Sequence, residues 1–362
     1  MTAKPKLQVR SEDLLSSGST LLNLATTGSI RGAFPKGTYS HFVGDSQSGK
    51  TLLCYNTLAE ASVNPAFDNY RLIYDNPERR AFWDMESLWG PKLASRIEPP
   101  SGTRDDPVYS RTVQDFYFFL YDSFVWLDNG RVDVAKSRPF VWIADSMASL
   151  DDVAKWDKFE TNRGLAAAGK DLEGSYGMGK AKFNSDNILW VVNALADTGS
   201  ILIVINQTRD RIPKSMFDMG PKQTVAGGHG LKFYATFEMW SCVAGVITKT
   251  VNGIKRNIGM DCEVSVKKNS VNGKQRTATI PVYNSIGVDD LGGCVAYLIE
   301  EKHWKKDKAT LTAPEFGHEG PVEKLIALIE ENELEEELRR LVQRVWNDVE
   351  ASCTVERKPR YT

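Results

Sequence analysis

Residues 39–61 read YSHFVGDSQSGKTLLCYNTLAEA. The run YSHFV (39–43) suits a buried strand, and TLLCYNTLAEA (51–61) reads as a helix. Between them GDSQSGKT (44–51) fits G-x-x-x-x-G-K-[ST] in full, in the strand–loop–helix context that the pattern requires. Glycines let backbone N–H groups turn inward around phosphate oxygens, and the helix N-terminus adds a favourable dipole. Gly44, Asp45, Ser46, Gln47, Ser48, Gly49, Lys50 and Thr51 are therefore expected to cradle a nucleotide. Lys50 would reach the β- and γ-phosphates of ATP, and the Thr51 hydroxyl would ligate Mg²⁺.

Three further apolar runs follow, RLIY (71–74), FVWIA (140–144) and ILIVI (201–205), with helical patterns between them. This alternation predicts an α/β fold with a largely parallel central sheet flanked by helices. Ile188, Val191, Val192 and Leu195 predict a helix over 185–198, capped by Ser185 and ended by Gly199. TVNGIKRN (250–257) and SVNGKQRT (270–277) each set Asn-Gly between β-prone flanks, a hairpin signal that carries strands to about Tyr283. The expected division is an N-terminal arm or oligomerisation segment (1–34), an ATPase core (35–285), and a small α-rich C-terminal domain with a tail (286–362).

The 362 residues are 41% hydrophobic and 25% charged with net charge −2, so a nucleic-acid surface must come from local segregation of charge. Five cysteines without CxxC spacing read as free thiols in a reducing compartment, and four unclustered histidines argue against a His/Cys metal site. No long apolar run suits a bilayer and MTAKPKLQVRSED lacks a signal peptide's apolar stretch, so a cytoplasmic protein without a membrane is expected.

Strand ends supply the rest of the site. FVWIADS places Asp145 where a Mg²⁺ ligand is wanted, and RLIYDNPE offers Glu78, with Asp75 as alternate, to activate water. Gln207, after ILIVIN, can hydrogen-bond a γ-phosphate oxygen and lose that contact on hydrolysis.

In this order the pieces resemble the RecA-type recombinases, particularly divergent ones carried by phages, over roughly residues 14–300. The resemblance rests on the lead-in LSSGSTLLNLATTGSIRGAFPKG, on FVWIADSMASL, and most specifically on INQTR…GGHGLKFYAT. It implies a RecA-like core binding ATP and Mg²⁺, with Lys50, Thr51, Asp145, Glu78 and Gln207 in the roles above. Phe233 would lie at a subunit interface, and Tyr283 near the adenine with Phe82 or Trp83 as rivals for stacking. Lys268, with Lys267 as substitute, would reach a neighbouring subunit's γ-phosphate; Ser270 stands where the family's second lysine is expected. Glu78 follows Asp75 by three residues, where cellular relatives space these acids by two.

The resemblance also implies two DNA-facing loops. The first, 169–182, carries Tyr176, Met178, Lys180 and Lys182. The second, 208–230, has four basic and two acidic residues, with Arg209, Arg211, Lys214, Phe217, Lys222, Gly227 and Gly228 as candidates. Cations suit phosphates and interleaved apolar groups suit bases. The basic hairpin 249–276 offers a second surface that suits either duplex DNA or a protected sheet edge. The implied function is an ATP-dependent recombinase that polymerises on single-stranded DNA and pairs it with homologous duplex, helped by single-strand-binding and loader or mediator proteins. A hexameric helicase-like motor and a non-catalytic recombination mediator are the rival readings.

Overall fold

The computed structural model describes residues 9–80, 83–171, 179–210, 223–225 and 228–357. A ten-stranded sheet organises the chain. Its strands are β1 (Tyr39–Gly44), β2 (Arg71–Asp75), β3 (Ile97–Glu98), β4 (Phe140–Ala144), β5 (Ile201–Asp210), β6 (Gln223–Val225), β7 (Phe237–Val251), β8 (Ile254–Asn269), β9 (Thr277–Tyr283) and β10 (Gly287–Val288). The spatial order is β10-β9-β8-β7-β1-β5-β4-β2-β3, with β6 paired to the far end of β5. From β7 to β3 every neighbouring pair is parallel, whereas β7 to β10 form antiparallel pairs. The result is the expected α/β core, with a mostly parallel centre and helices on both sides.

Helices cover both faces: α1 (Thr20–Thr27), α2 (Lys50–Val63), α3 (Met85–Arg96), α4 (Val113–Asp122), α5 (Val153–Ala167), α6 (Gly179–Thr198), α7 (His229–Tyr234), α8 (Asp290–Glu300), α9 (Val322–Glu331) and α10 (Glu335–Ser352). The period-2 alternation of strand side chains divides the core. Val141, Ile143, Ile203 and Ile205 join the cluster under α1, α2 and the C-terminal helices; Phe140, Trp142, Leu202 and Val204 join the one under α4 and α6. A strand buried on both faces must be apolar throughout, which is why FVWIA and ILIVI are unbroken runs.

Several boundaries differ from expectation. The helix expected from 185 begins at Gly179, and Ser185 lies inside it, its hydroxyl donating to the Ala181 carbonyl at 2.9 Å instead of capping. Asn252-Gly253 is the expected two-residue hairpin: Val251 pairs with Ile254, and both loop residues have positive φ (53° and 77°). Asn272-Gly273 is not such a turn. Asn269 organises a longer connection there, its amide nitrogen donating to the Thr26 and Lys274 carbonyls and its oxygen accepting from the Val271 and Asn272 N–H groups.

Residues grouped by sequence with an arm are built into the core from Leu14 onward. Leu14–Leu15 pair with Phe34–Pro35, and Leu15, Leu21, Leu22 and Leu24 belong to the main apolar cluster. Thr20 donates through its N–H and hydroxyl to Asp290 on α8, at 2.6 and 2.9 Å. The C-terminal helices add Leu325, Ile329, Leu338 and Val342 to that cluster. A three-stranded sheet (Lys305–Asp307, Thr310–Ala313, His318–Gly320) lies between α8 and α9, which helical periodicity did not anticipate. Glu350 on α10 accepts from Arg276 and Lys274, and these partners hold its pKa down at about 2. Among the described residues no helix is long and apolar enough to cross a membrane.

Candidate functional site

Parallel pairing puts the carboxyl ends of β1, β5, β4 and β2 along one edge, with Gly44 opposite Gln207 and Asp75 opposite Ala144. A cleft of about 880 Å³ opens there. Its floor is the loop 46–49 with Lys50 and Thr51, and its walls include Tyr74, Glu78, Trp83, Asp145, Val246, Met260 and Tyr283. The loop is braced from the side: Ser48 and Ser241 hydroxyls lie 2.7 Å apart, and the Cys262 thiol donates to the Ser48 carbonyl.

Lys50 folds back on its own loop, donating to the Gly44 and Asp45 carbonyls and the Ser48 hydroxyl. Burial lowers its pKa from the ordinary 10.5, against the pull of Asp145 and Asp45. These bonds satisfy an ammonium that a phosphate could satisfy as well.

Thr51 donates to Asp145 Oδ2 at 2.6 Å, and the Tyr74 hydroxyl donates to the same oxygen at 2.9 Å. Burial raises the Asp145 pKa, and the two hydrogen bonds oppose it. No group of three His, Cys, Asp or Glu side chains suited to a metal occurs among the described residues. Thr51 and Asp145 instead form the kind of sparse oxygen site that suits Mg²⁺ when phosphates and water complete its shell.

Glu78 reaches the cleft, and Asp75 does not. Glu78 Oε1 accepts from the Gln207 amide at 2.8 Å and from the Ser146 hydroxyl. Asp75 is fully buried, accepting from the Ser110 N–H at 3.0 Å and from its hydroxyl. Its backbone carbonyl holds the Asp145 N–H at 2.9 Å, so it braces the strand end. Desolvation raises the Asp75 carboxyl to about 6, against the Ser110 hydrogen bonds.

The sign of that shift gives a test. A carboxyl with a raised folded-state pKa contributes fully below its ordinary value of 3.8, and that contribution is lost as pH rises through about 6. Asp75→Asn is expected to flatten the pH dependence between about 4 and 6 and to stabilise the fold at pH 7 by up to roughly 3 kcal/mol. Urea unfolding at pH 4 and pH 7 measures both; equal pH slopes in the two proteins would refute the assignment.

Other expected site residues lie away from the cleft. Phe233 is 72% exposed. Lys268 donates to the Phe233 and Lys232 carbonyls at 2.6 and 3.3 Å, and Lys267 is exposed beside it. Lys180 is turned inward, donating to the Met147 and Leu150 carbonyls, so it secures the chain after β4 instead of facing outward. Lys182 is exposed. A Cβ on Gly228 would stand 2.8 Å from Ala181 Cβ, so the roots of the two expected DNA loops pack together there. Arg209 lies on β5. Phe82, Tyr176, Met178, Arg211, Lys214, Phe217, Lys222 and Gly227 lie outside the described residues.

Sequence reasoning missed a row of polar residues that strand pairing aligns, with Asn206, His41 and Glu238 buried. The Gln207 N–H donates to Asn206 Oδ1 at 3.0 Å, Asn206 Nδ2 lies 3.3 Å from His41 Nε2, and His41 pairs in register with Glu238. Glu238 meets Lys232 of α7 at 3.0 Å. Burial lowers the His41 pKa to about 4, so the ring is neutral at physiological pH. No local motif marks these residues; only strand pairing aligns them.

No family model matches the chain. It is similar to proteins named Protein RecA from Streptococcus pneumoniae strains Hungary19A-6 and CGSP14 and serotype 19F strain G54. Each is 25% identical over 300 residues, covering 80% of this chain. The chain spans about 63% of the length of these curated relatives. The similarity supports a RecA-like family relationship.

Proposed function

We propose that the chain is a divergent, phage-like RecA-type recombinase: a DNA-dependent ATPase that polymerises on single-stranded DNA and catalyses homologous pairing and strand exchange. The observation carrying this reading is the Glu78–Gln207–Ser146 cluster, because it joins the nucleotide cleft to the strand that leads into residues 208–230. An ATPase whose product state must be communicated to a DNA-facing segment needs such a joint.

The chemistry divides among the chain's own groups. Lys50 would exchange its loop carbonyls for β- and γ-phosphate oxygens, while N–H groups of 44–51 hold the remainder. Thr51 and Asp145 would hold Mg²⁺, which when bound would supply positive charge against the charge developing on the phosphates. Glu78 would orient the attacking water and accept its proton. Trp83 and Tyr283 would flank the base, as both line the cleft. Gln207 would exchange Glu78 for the γ-phosphate and move the root of the following segment. Lys268 or Lys267 would meet a neighbouring copy's nucleotide, with Phe233 at that contact.

DNA would be gripped through its backbone by Lys182, Arg209 and the loop cations, with sequence read by base pairing. Binding should therefore be sequence-tolerant and strongly salt-dependent. Homologous duplex, single-strand-binding protein and a loader are the partners this activity calls for, in a cytoplasm.

Strand exchange between circular single-stranded and homologous linear duplex DNA, with ATP and Mg²⁺, is the deciding experiment. Joint molecules are expected with homologous duplex only. Closed rings without joint molecules would mark a helicase-like motor. Function surviving Lys50→Ala, without DNA-stimulated hydrolysis, would mark a mediator.

A further inference from the structure

Tyr74 stands one residue before the end of β2 and pairs in register with Ile143 of β4. Both belong to the apolar cluster under α2. Asp145, two residues beyond Ile143, comes out on the same side and meets Thr51 in the first turn of α2 at 2.6 Å. The Tyr74 hydroxyl reaches the same carboxylate oxygen, Oδ2, at 2.9 Å. Among the described residues, Thr51 and Tyr74 are the two side chains that donate to the Asp145 carboxylate.

Packing fixes where the Tyr74 hydroxyl sits. The residue is 5% exposed, and its ring centroid lies 4.3 Å from that of Tyr55 on α2. Tyr55 stacks in turn on Trp89 of α3 at 4.9 Å, with the planes 23° apart. Interdigitated rings of this kind have no room to change rotamer. The two donors differ in what else they can do. A hydroxyl carries one proton and two lone pairs, so Thr51 can give its proton to Asp145 while its oxygen faces a cation.

We propose that Tyr74 is a positioning residue for the Mg²⁺ site: its hydroxyl fixes the Asp145 carboxylate, which in turn fixes how Thr51 presents its oxygen. This rests on the Mg²⁺–nucleotide reading above and adds to it a residue that no motif assigned. A phenol is uncharged at neutral pH, so it orients a buried carboxylate without cancelling the charge that attracts a cation. A lysine or arginine in its place would cancel that charge. Hydrogen-bond partners of metal-binding side chains set ligand orientation, and losing one commonly costs about 10- to 100-fold in metal affinity.

The test uses full-length protein with a non-hydrolysable ATP analogue. Mn²⁺ stands in for Mg²⁺, so that free metal can be read by electron paramagnetic resonance. Tyr74→Phe keeps the ring and its packing on Tyr55 and removes one oxygen. It is expected to weaken Mn²⁺ binding to the protein–nucleotide complex about 10- to 100-fold, with nucleotide affinity in EDTA within about twofold of wild type. The Mg²⁺ concentration for half-maximal hydrolysis should rise by the same factor. In an Asp145→Ala background the Tyr74 change should alter Mn²⁺ affinity by less than about twofold, because a residue that acts through another is non-additive with it. An unchanged thermal midpoint shows that each variant folds. Wild-type Mn²⁺ affinity in Tyr74→Phe overturns the assignment while leaving the nucleotide reading intact, and so do additive losses in the double variant. Equal loss of nucleotide affinity with and without metal would mark general damage to the cleft and also overturn it. Failure of the wild-type protein to bind metal with nucleotide overturns both the positioning role and the reading it rests on.

Discussion

Glu78→Gln is expected to lower ATP turnover by about 10²–10⁴-fold, the usual contribution of a positioned general base, while ATP still binds. The substitution keeps the side-chain length and one carbonyl oxygen, so the Gln207 amide and the Ser146 hydroxyl can still donate to it. What it removes is the capacity to take a proton from water. Asp75→Asn is the control, because Asp75 is sealed behind Ser110 and faces no open cleft; its turnover should stay within a fewfold of wild type. Steady-state hydrolysis alongside equilibrium nucleotide binding checks the pair. If Asp75→Asn were the inactive variant and Glu78→Gln the active one, the role of water activator would pass to Asp75.

Gln207→Ala should bind ATP normally and lose the ATP-dependent gain in single-stranded DNA affinity. Coupling between two sites typically amounts to 5–150-fold in affinity, and most of that gain should disappear. Gln207 has one amide and two suitors, since it donates to Glu78 at 2.8 Å and would be claimed by a γ-phosphate once ATP is bound. That exchange would do two things together. It frees a Glu78 oxygen to orient water, and it pulls on the strand that continues into 208–230. Alanine leaves Glu78 held by Ser146 and by its ion pair with Arg80 at 3.8 Å, so hydrolysis should fall much less than in Glu78→Gln. DNA titrations with and without a non-hydrolysable ATP analogue measure the coupling. Undiminished enhancement would mean that the signal travels elsewhere, with the His41–Glu238–Lys232 chain the next route to test.

Much of the candidate cleft was legible because each part announces itself locally. The motif of residues 44–51 is contiguous, and its residue types are those that a phosphate would demand of backbone N–H groups. Asp145 directly follows an apolar run, Gln207 stands two residues after one and Glu78 four, and parallel strands deliver the chain there to one edge. Asp75 shows the limit. By sequence it stands closer to the strand end than Glu78 does, yet strand pairing and Ser110 bury it. Lys180 shows the same limit, as a loop cation that turns out to hold the backbone after β4.

α5 was illegible for another reason. Its aromatics, Trp156 and Phe159, are 55% and 57% exposed. They sit at helical spacing, which ordinarily means burial, and no periodicity distinguishes a face turned to the core from one turned to water. The Asn-Gly pairs behaved alike in sequence and differently in space, since Asn269 has buried partners in α1 and in the following connection that outweigh the local turn preference.

The order of residues by itself thus determined the α/β class, the glycine-rich loop between a strand and a helix and the set of groups near strand ends, because these depend on short-range periodicity and contiguous geometry. Tertiary structure decided which acid lines the cleft, which lysine is spent on the backbone, and that Gln207 grips Glu78. Those outcomes depend on which strands become neighbours, and neighbours distant in sequence leave no mark on the local pattern.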